Sequence, residues 1–153
     1  MKSRLWSFGY RRRHCGSRGQ SLVEFAIVAP VLILFLLAVT DFGRVFFVSI
    51  ALNNAARAGT QYGIQSPANA ADVSGMQQAA QTDASNISGV AATASEFCEC
   101  PDGSTPACDS SPSCSDLRVY VEVDTTGSFQ TLLNYPGIPS SISLTGKSVM
   151  RAE

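Results

Sequence analysis

The sequence predicts an α+β fold. A long N-terminal helix, membrane-spanning in its first half, is followed by a small antiparallel sheet domain with a second helix and a disulfide-bonded loop. Three observations carry this. An uncharged apolar run from Phe25 to Val39 follows a basic head, with one acid, Glu24, at its front edge. Helical spacing of apolar and small residues continues past that run to about Tyr62. The second half of the chain combines strand-like alternation with four closely spaced cysteines. The chain therefore divides into a basic leader (1–19), a long helix (20–65) and an extracytoplasmic α+β domain (66–153).

The charge is unevenly placed. Six of the eleven Lys and Arg residues (Lys2, Arg4, Arg11, Arg12, Arg13, Arg18) precede Gly19 with no acid among them, so the other five face all twelve Asp and Glu and the body carries −7. A basic head on an acidic body reads as a topogenic or targeting segment. Nucleic-acid binding is a poor account of that head, because the adjoining run is far too apolar for a soluble basic arm.

With Leu22 and Val23 before it and Thr40 after it, the apolar run approaches the roughly 20 residues a spanning helix needs. Phe42, Val45, Phe46, Phe47, Val48 and Ile50 prolong it past Asp41 and Arg44, whose charges are expected to reach the headgroup region. Basic residues crowd the near side of the span, which predicts a cytoplasmic N-terminus and an exported C-terminal body. The apolar run leads into Asp41-Phe42-Gly43-Arg44 without the small-residue cleavage site of a secretory signal. Any cut is expected before the run, and the side-chain-free Gly19 is the natural place.

Glu24 needs a physical account, since an unpaired carboxylate in hydrocarbon costs several kcal/mol. Ser21-Leu22-Val23-Glu24 fits a capping box with Ser21 as N-cap, and negative charge suits a helix N-terminus. Pro30 lies inside the helix, lacks an N–H and presses on the carbonyl of Ala26, so a bend or loosened turn is expected. Membrane helices tolerate this better than soluble ones.

Beyond Asp41 the apolar residues narrow to a stripe: Phe42, Val45, Phe46, Ser49, Leu52 and Ala56. A second row, Ala51, Ala55, Gly59 and Gly63, places small residues at every fourth position, where another backbone can approach closely. That backbone belongs either to the chain's own domain or to another subunit. A helix from Ser21 to about Tyr62 would be on the order of 60 Å long.

Ser66-Pro67 breaks the helix. Residues 69 to 85 predict a second, shorter one with Val73, Met76, Ala80 and Ala84 on one face, weakened by Gly75. Ala92 to Cys98 predicts a strand. Leu117 to Thr125 is the clearest strand, with Leu117, Val119, Val121 and Val123 on one side and Arg118, Tyr120, Glu122 and Asp124 on the other. Ile142 to Arg151 predicts another; Val149 is out of phase with Ile142 and Leu144, and a bulge at Gly146 would reset the alternation. The intervening TGSFQTLLNYPGIPS reads as a loop whose Phe129, Leu132, Leu133, Tyr135 and Ile138 cover the sheet or rest on a partner or membrane surface.

Cys15 lies in the head, while Cys98, Cys100, Cys108 and Cys114 sit in a loop rich in Pro, Ser, Asp and Gly. An even count in an exported, loop-rich segment predicts two disulfides. Cys98 and Cys100 are too near in sequence to be expected to bond each other. The pairing is Cys98–Cys108 with Cys100–Cys114, or Cys98–Cys114 with Cys100–Cys108. A zinc site is the rival, but the spacing lacks the usual C-x2-C knuckle.

Gly19, four residues, then Glu24-Phe25 resembles the processing site of type IV-like prepilins. The longer string RGQSLVEFAIVAPVLILFLLAVTDFGR, with ALNNAARAGTQYG after it, is similar to the TadE-like family of minor pilins or pseudopilins of tight-adherence (Flp-type) pilus systems. The ending VYVEVD and YPGIPSSISLTGKSVMRAE is similar to that family's C-terminal segment, and the likeness is weakest over residues 66–97. It implies a pilin-like fold and a membrane aspartic peptidase, the prepilin peptidase, cutting between Gly19 and Gln20. It also implies that Glu24 pairs with the new Gln20 ammonium of a neighbouring subunit and sets axial register, and it suggests that helix opening near Pro30 accompanies assembly. The implied partners are that peptidase, other pilins or pseudopilins, the inner-membrane assembly platform and membrane lipid.

No catalytic set stands out. The single histidine, His14, is in the head, the acids lack metal-ligand spacing, and no phosphate loop is present, so neither an enzyme nor a cofactor is expected. The leading expectation is a pilus assembly protein of the inner membrane. The alternatives are an unprocessed, membrane-anchored periplasmic scaffold or binding protein, and an adhesin whose cysteine loop touches a surface ligand.

Overall fold

The structure is a computed structural model that describes residues 19–108, 114–132, 137 and 139–152. The predicted leader, including His14 and Cys15, and the loop residues Leu133, Tyr135 and Ile138 lie outside the described residues. The chain forms two compact units, Met1–Ala38 and Val39–Glu153. In order it contains a long helix α1 (Gln20–Gly63), two short helices α2 (Pro67–Ala71) and α3 (Val73–Asp83), and three strands, β1 (Ala91–Glu99), β2 (Arg118–Gln130) and β3 (Ser141–Arg151). The strands form one antiparallel sheet in the order β1-β2-β3.

The predicted second helix is two helices because Asp72 stops one and starts the next. Ser66 caps α2 by accepting from the Asn69 N–H at 3.2 Å, and Pro67 occupies its first turn. The Asp72 backbone N–H closes α2 on the Asn69 carbonyl, and its carboxylate accepts from the Gly75 N–H at 2.9 Å to cap α3. Met76, Ala80 and Ala84 face the core as their spacing predicts, but Val73 is exposed. It sits in the first turn, before the helix reaches the sheet.

Strand β2 runs five residues beyond the predicted end at Thr125. Val121, Val123, Thr125, Gly127 and Phe129 alternate inward without interruption, so Thr126–Gln130 belongs to the sheet. Its polar and glycine residues hid a periodicity that is intact in the backbone. No bulge occurs in β3: the register runs evenly from Tyr120 opposite Arg151 to Gln130 opposite Ser141. Ile142, Leu144, Gly146, Ser148 and Met150 are the less exposed positions, and Val149 simply points out, 44% exposed.

Gly146 serves close approach. A Cβ there would stand 2.6 Å from both the Leu52 carbonyl oxygen and the Asn53 nitrogen, so the backbone of α1 rests directly on the strand. The Thr125 hydroxyl donates to that Leu52 carbonyl at 2.9 Å, and the hydroxyls of Thr60 and Ser148 bond at 2.9 Å two turns further on. The core is built of small side chains around Leu52, Met76, Val121 and Val123, all fully buried. Each such burial stabilises by roughly 1.5–3 kcal/mol.

A core this small benefits from cross-links. Of the two pairings left open by sequence, the structure has Cys98–Cys108 and Cys100–Cys114. Cys98 and Cys100 are buried at the end of β1 and just past it, so both bridges fasten the proline- and serine-rich loop to the sheet.

Candidate functional site

The first unit presents the segment the sequence marks for processing and assembly. The helix begins at Gln20, and the Gly19 carbonyl accepts from the Val23 N–H at 3.3 Å. Ser21 is therefore inside the first turn, and the predicted capping box with Ser21 as N-cap does not form. Glu24 is exposed and makes no hydrogen bond or ion pair among the described residues, so its carboxylate is not consumed locally. Gln20 and Phe25 are also exposed. A Cβ added at Gly19 meets nothing within 4 Å, so no contact among the described residues requires glycine there.

From Leu22 to Leu36 the apolar side chains stand outward on every side of the helix: Leu22, Val23, Phe25, Ile27, Val28, Val31, Ile33 and Phe35 among them. A helix apolar all round is stable only in lipid or inside a larger bundle. Helix α1 is long and apolar enough to cross a membrane, which fits single-pass anchoring. Pro30 is exposed and lies within the helix, which continues through it.

In the second unit the small-residue row has a partner inside the chain. Ala55, Gly59 and Gly63 are buried and Ala51 is half-buried. A Cβ at Gly59 would stand 2.8 Å from the Met76 carbonyl oxygen, and one at Gly63 would stand 2.6 Å from the Met76 sulfur. This row seats α3 and the sheet. The stripe read from Phe42 to Ala56 divides: Leu52 and Ala56 are buried, whereas Phe42 and Phe46 are exposed at 66% and 55%.

Asp41 differs most from its sequence reading. It is buried, not directed toward headgroups. Its two carboxylate oxygens accept from the Leu132 N–H at 3.0 and 3.2 Å, and the Arg44 guanidinium donates to it at 3.0 Å. Arg44 also lies over the Phe129 ring, 5.0 Å from its centroid. A lone acid three residues before a lone arginine, next to an apolar run, was the available signal. It could not reveal the Leu132 N–H, which arrives from a remote loop.

Residues 19–61 match the TadE-like protein family. The TadE-like segment thus opens at the predicted cut, contains all of the outward-facing apolar rod, and ends just before Gly63 without reaching the sheet. It contains Gly19, Gln20, Glu24, Phe25 and Pro30, and Ala51, Ala55 and Gly59 of the packing row. The cysteines and the strands lie outside it. Neither curated proteins nor solved structures yield a match to the chain.

Proposed function

We propose that the chain is a minor pilin or pseudopilin that assists assembly or initiation of a tight-adherence pilus. It is stored in the bacterial inner membrane by the first half of α1, with its N-terminus cytoplasmic and its sheet domain periplasmic. Prepilin peptidase removes the leader after Gly19. The protein is a substrate for that enzyme and performs no catalysis of its own. Its helix then joins other pilins or pseudopilins at the assembly platform.

The TadE-like match over 19–61, on a helix whose apolar residues face outward on every side from Leu22 to Leu36, carries this reading. Two details support it. Glycine at 19 has no packing reason inside the described chain, which fits a requirement imposed by an enzyme's cleft. Glu24, exposed and without a hydrogen-bond or ion-pair partner among the described residues, is available to the Gln20 ammonium of a neighbouring subunit. In a low-dielectric bundle that pairing would offset the cost of burying the carboxylate.

Intact mass of the membrane-extracted protein tests the reading: the chain should begin at Gln20 in cells with the peptidase. Gly19→Leu should leave insertion unchanged and abolish cutting, and Glu24→Ala should insert and be cut but impair piliation. A wild-type chain that keeps Met1 where the peptidase is active supports the unprocessed scaffold instead.

A further inference from the structure

We propose that the chain is a substrate for a thiol–disulfide isomerase in the compartment that holds its sheet domain. The two bridges interleave. Cys98 pairs with Cys108 and Cys100 with Cys114, so neither joins cysteines that are consecutive in the chain. The bridges span 10 and 14 residues of sequence, whereas Cys100–Cys108 and Cys108–Cys114 would each close a shorter loop. Closure entropy varies only slowly with loop length, so the unfolded chain forms these wrong bonds at least as readily as the native ones.

Folded structure is what selects the native pairs. The Cys100 N–H donates to the Ser104 carbonyl at 2.9 Å, and the Gly103 N–H donates to the Cys100 carbonyl at 2.9 Å. The Asp102 carboxylate holds the same turn by accepting from the Ser104 N–H at 3.0 Å and the Ser104 hydroxyl at 2.6 Å. The turn sets Ser104 beside Cys100 and leads the chain back to the end of β1, where Cys108 meets Cys98. A Cys100–Cys108 bond would bring Cys108 to the place that Ser104 holds. It has to break before the turn can form and before Cys98 and Cys100 can be buried.

Four cysteines allow three pairings. In either wrong set every thiol of the segment is consumed, so exchange has to be started by a thiolate from outside. From Cys98–Cys114 with Cys100–Cys108 the exchange balances without an oxidant. The isomerase thiolate attacks the Cys108 sulfur, which forms a mixed disulfide and releases the Cys100 thiolate. Cys100 attacks the Cys114 sulfur, forming one native bond and releasing the Cys98 thiolate. Cys98 attacks the Cys108 sulfur, forming the other native bond and releasing the isomerase thiolate. Three bonds form, three break, and no electron is gained or lost. Exchange then stops, because Cys98 and Cys100 are buried in the native set. The proposal rests on export of the sheet domain, put forward above, and not on cleavage at Gly19 or on pilus assembly.

Linkage mapping tests it in the full chain. The protein carrying Cys15→Ser is expressed in bacteria that keep their periplasmic disulfide-donating oxidase, with or without their disulfide isomerase. Free thiols are alkylated at lysis. The unfolded, unreduced chain is then cut at Glu99, Asp102 and Asp109, which puts each of the four cysteines on its own peptide for mass spectrometry. With the isomerase the native set should dominate. Without it the native share should fall to roughly a third or less, the share of one pairing among three. An isomerase whose attacking cysteine is replaced by serine should not restore it. Two single-bridge variants, Cys98→Ser with Cys108→Ser and Cys100→Ser with Cys114→Ser, have one bond open to them and should form it in both hosts. A native share undiminished without the isomerase, restoration by the serine isomerase, or loss of both single bridges without the isomerase would overturn the proposal. Native linkage in both hosts sinks the isomerase alone, whereas four free thiols in both hosts sink the export reading and this proposal with it.

Discussion

The Thr125 hydroxyl donates to the Leu52 backbone carbonyl at 2.9 Å, joining the middle strand to the long helix. The register partner of Thr125 is Gly146, the residue on which the Leu52 backbone rests. Two adjacent strands thus meet the helix with different devices, a missing side chain and a donated hydrogen bond. Together they set how close the helix lies and which turn of it lies there. Thr60 and Ser148 repeat the polar device two turns along the helix.

Gly146→Ala should be the more damaging substitution at this junction. Its methyl would stand 2.6 Å from helix backbone atoms that cannot rotate away, and overpacking of that kind costs roughly 2–3 kcal/mol. Thr125→Val keeps the volume and removes the donor, at about 1 kcal/mol. Thermal unfolding of the detergent-extracted chain, followed by circular dichroism, should rank wild type above Thr125→Val above Gly146→Ala. Equal midpoints for wild type and Gly146→Ala would mean that the helix is not seated on this pair.

Asp41 should act as the fastening point of the loop that follows β2. Asp41→Ala removes both acceptors of the Leu132 N–H and the counter-charge of Arg44, with an expected loss of about 1–3 kcal/mol. Asp41→Asn retains one oxygen and should lose less. Amide hydrogen exchange reads this locally: a peptide covering Leu132 should exchange faster in Asp41→Ala, and faster than any change at Val121 or Val123.

Much of this architecture is legible in the sequence wherever one periodicity dominates. The apolar run, the alternation from Val119 to Val123 and the four closely spaced cysteines from Cys98 to Cys114 each point to their element without help from the rest of the chain. The misreadings share a cause. Thr125, Gly127, Gly146 and Ser148 are inward-facing sheet residues that are small or polar, and a hydrophobic pattern does not register them. Their logic appears only once α1 is laid on the sheet, because a glycine or hydroxyl there answers to a helix backbone far away in sequence. Asp41 was read as a headgroup charge for the same reason: its partner, Leu132, is a remote backbone amide. At the N-terminal segment the sequence placed the helix start one residue late, and so assigned Ser21 a cap it does not form.

The Tyr62–Asp72 pair should give the folded domain a stability plateau with two edges. Asp72 accepts from the Ser74 hydroxyl at 2.7 Å, the Gly75 N–H at 2.9 Å and the Tyr62 phenol at 2.9 Å, and these donors hold its carboxyl below the usual aspartate range. Donation to that carboxylate, with a smaller contribution from burial, holds the Tyr62 phenol above its usual value. An acid whose folded value is depressed contributes fully above its unfolded value, about 3.9, and loses that contribution as pH falls toward the folded one. For the phenol the sign is opposite: the contribution is complete below about pH 10 and fades as pH rises through the raised value. The difference in thermal midpoint between wild type and Asp72→Ala should therefore stay level across neutral pH, narrow below about pH 4 and narrow again above about pH 10. A difference that persists undiminished in strong acid would show that Asp72 acts through its shape at the α2–α3 junction and not through its charge.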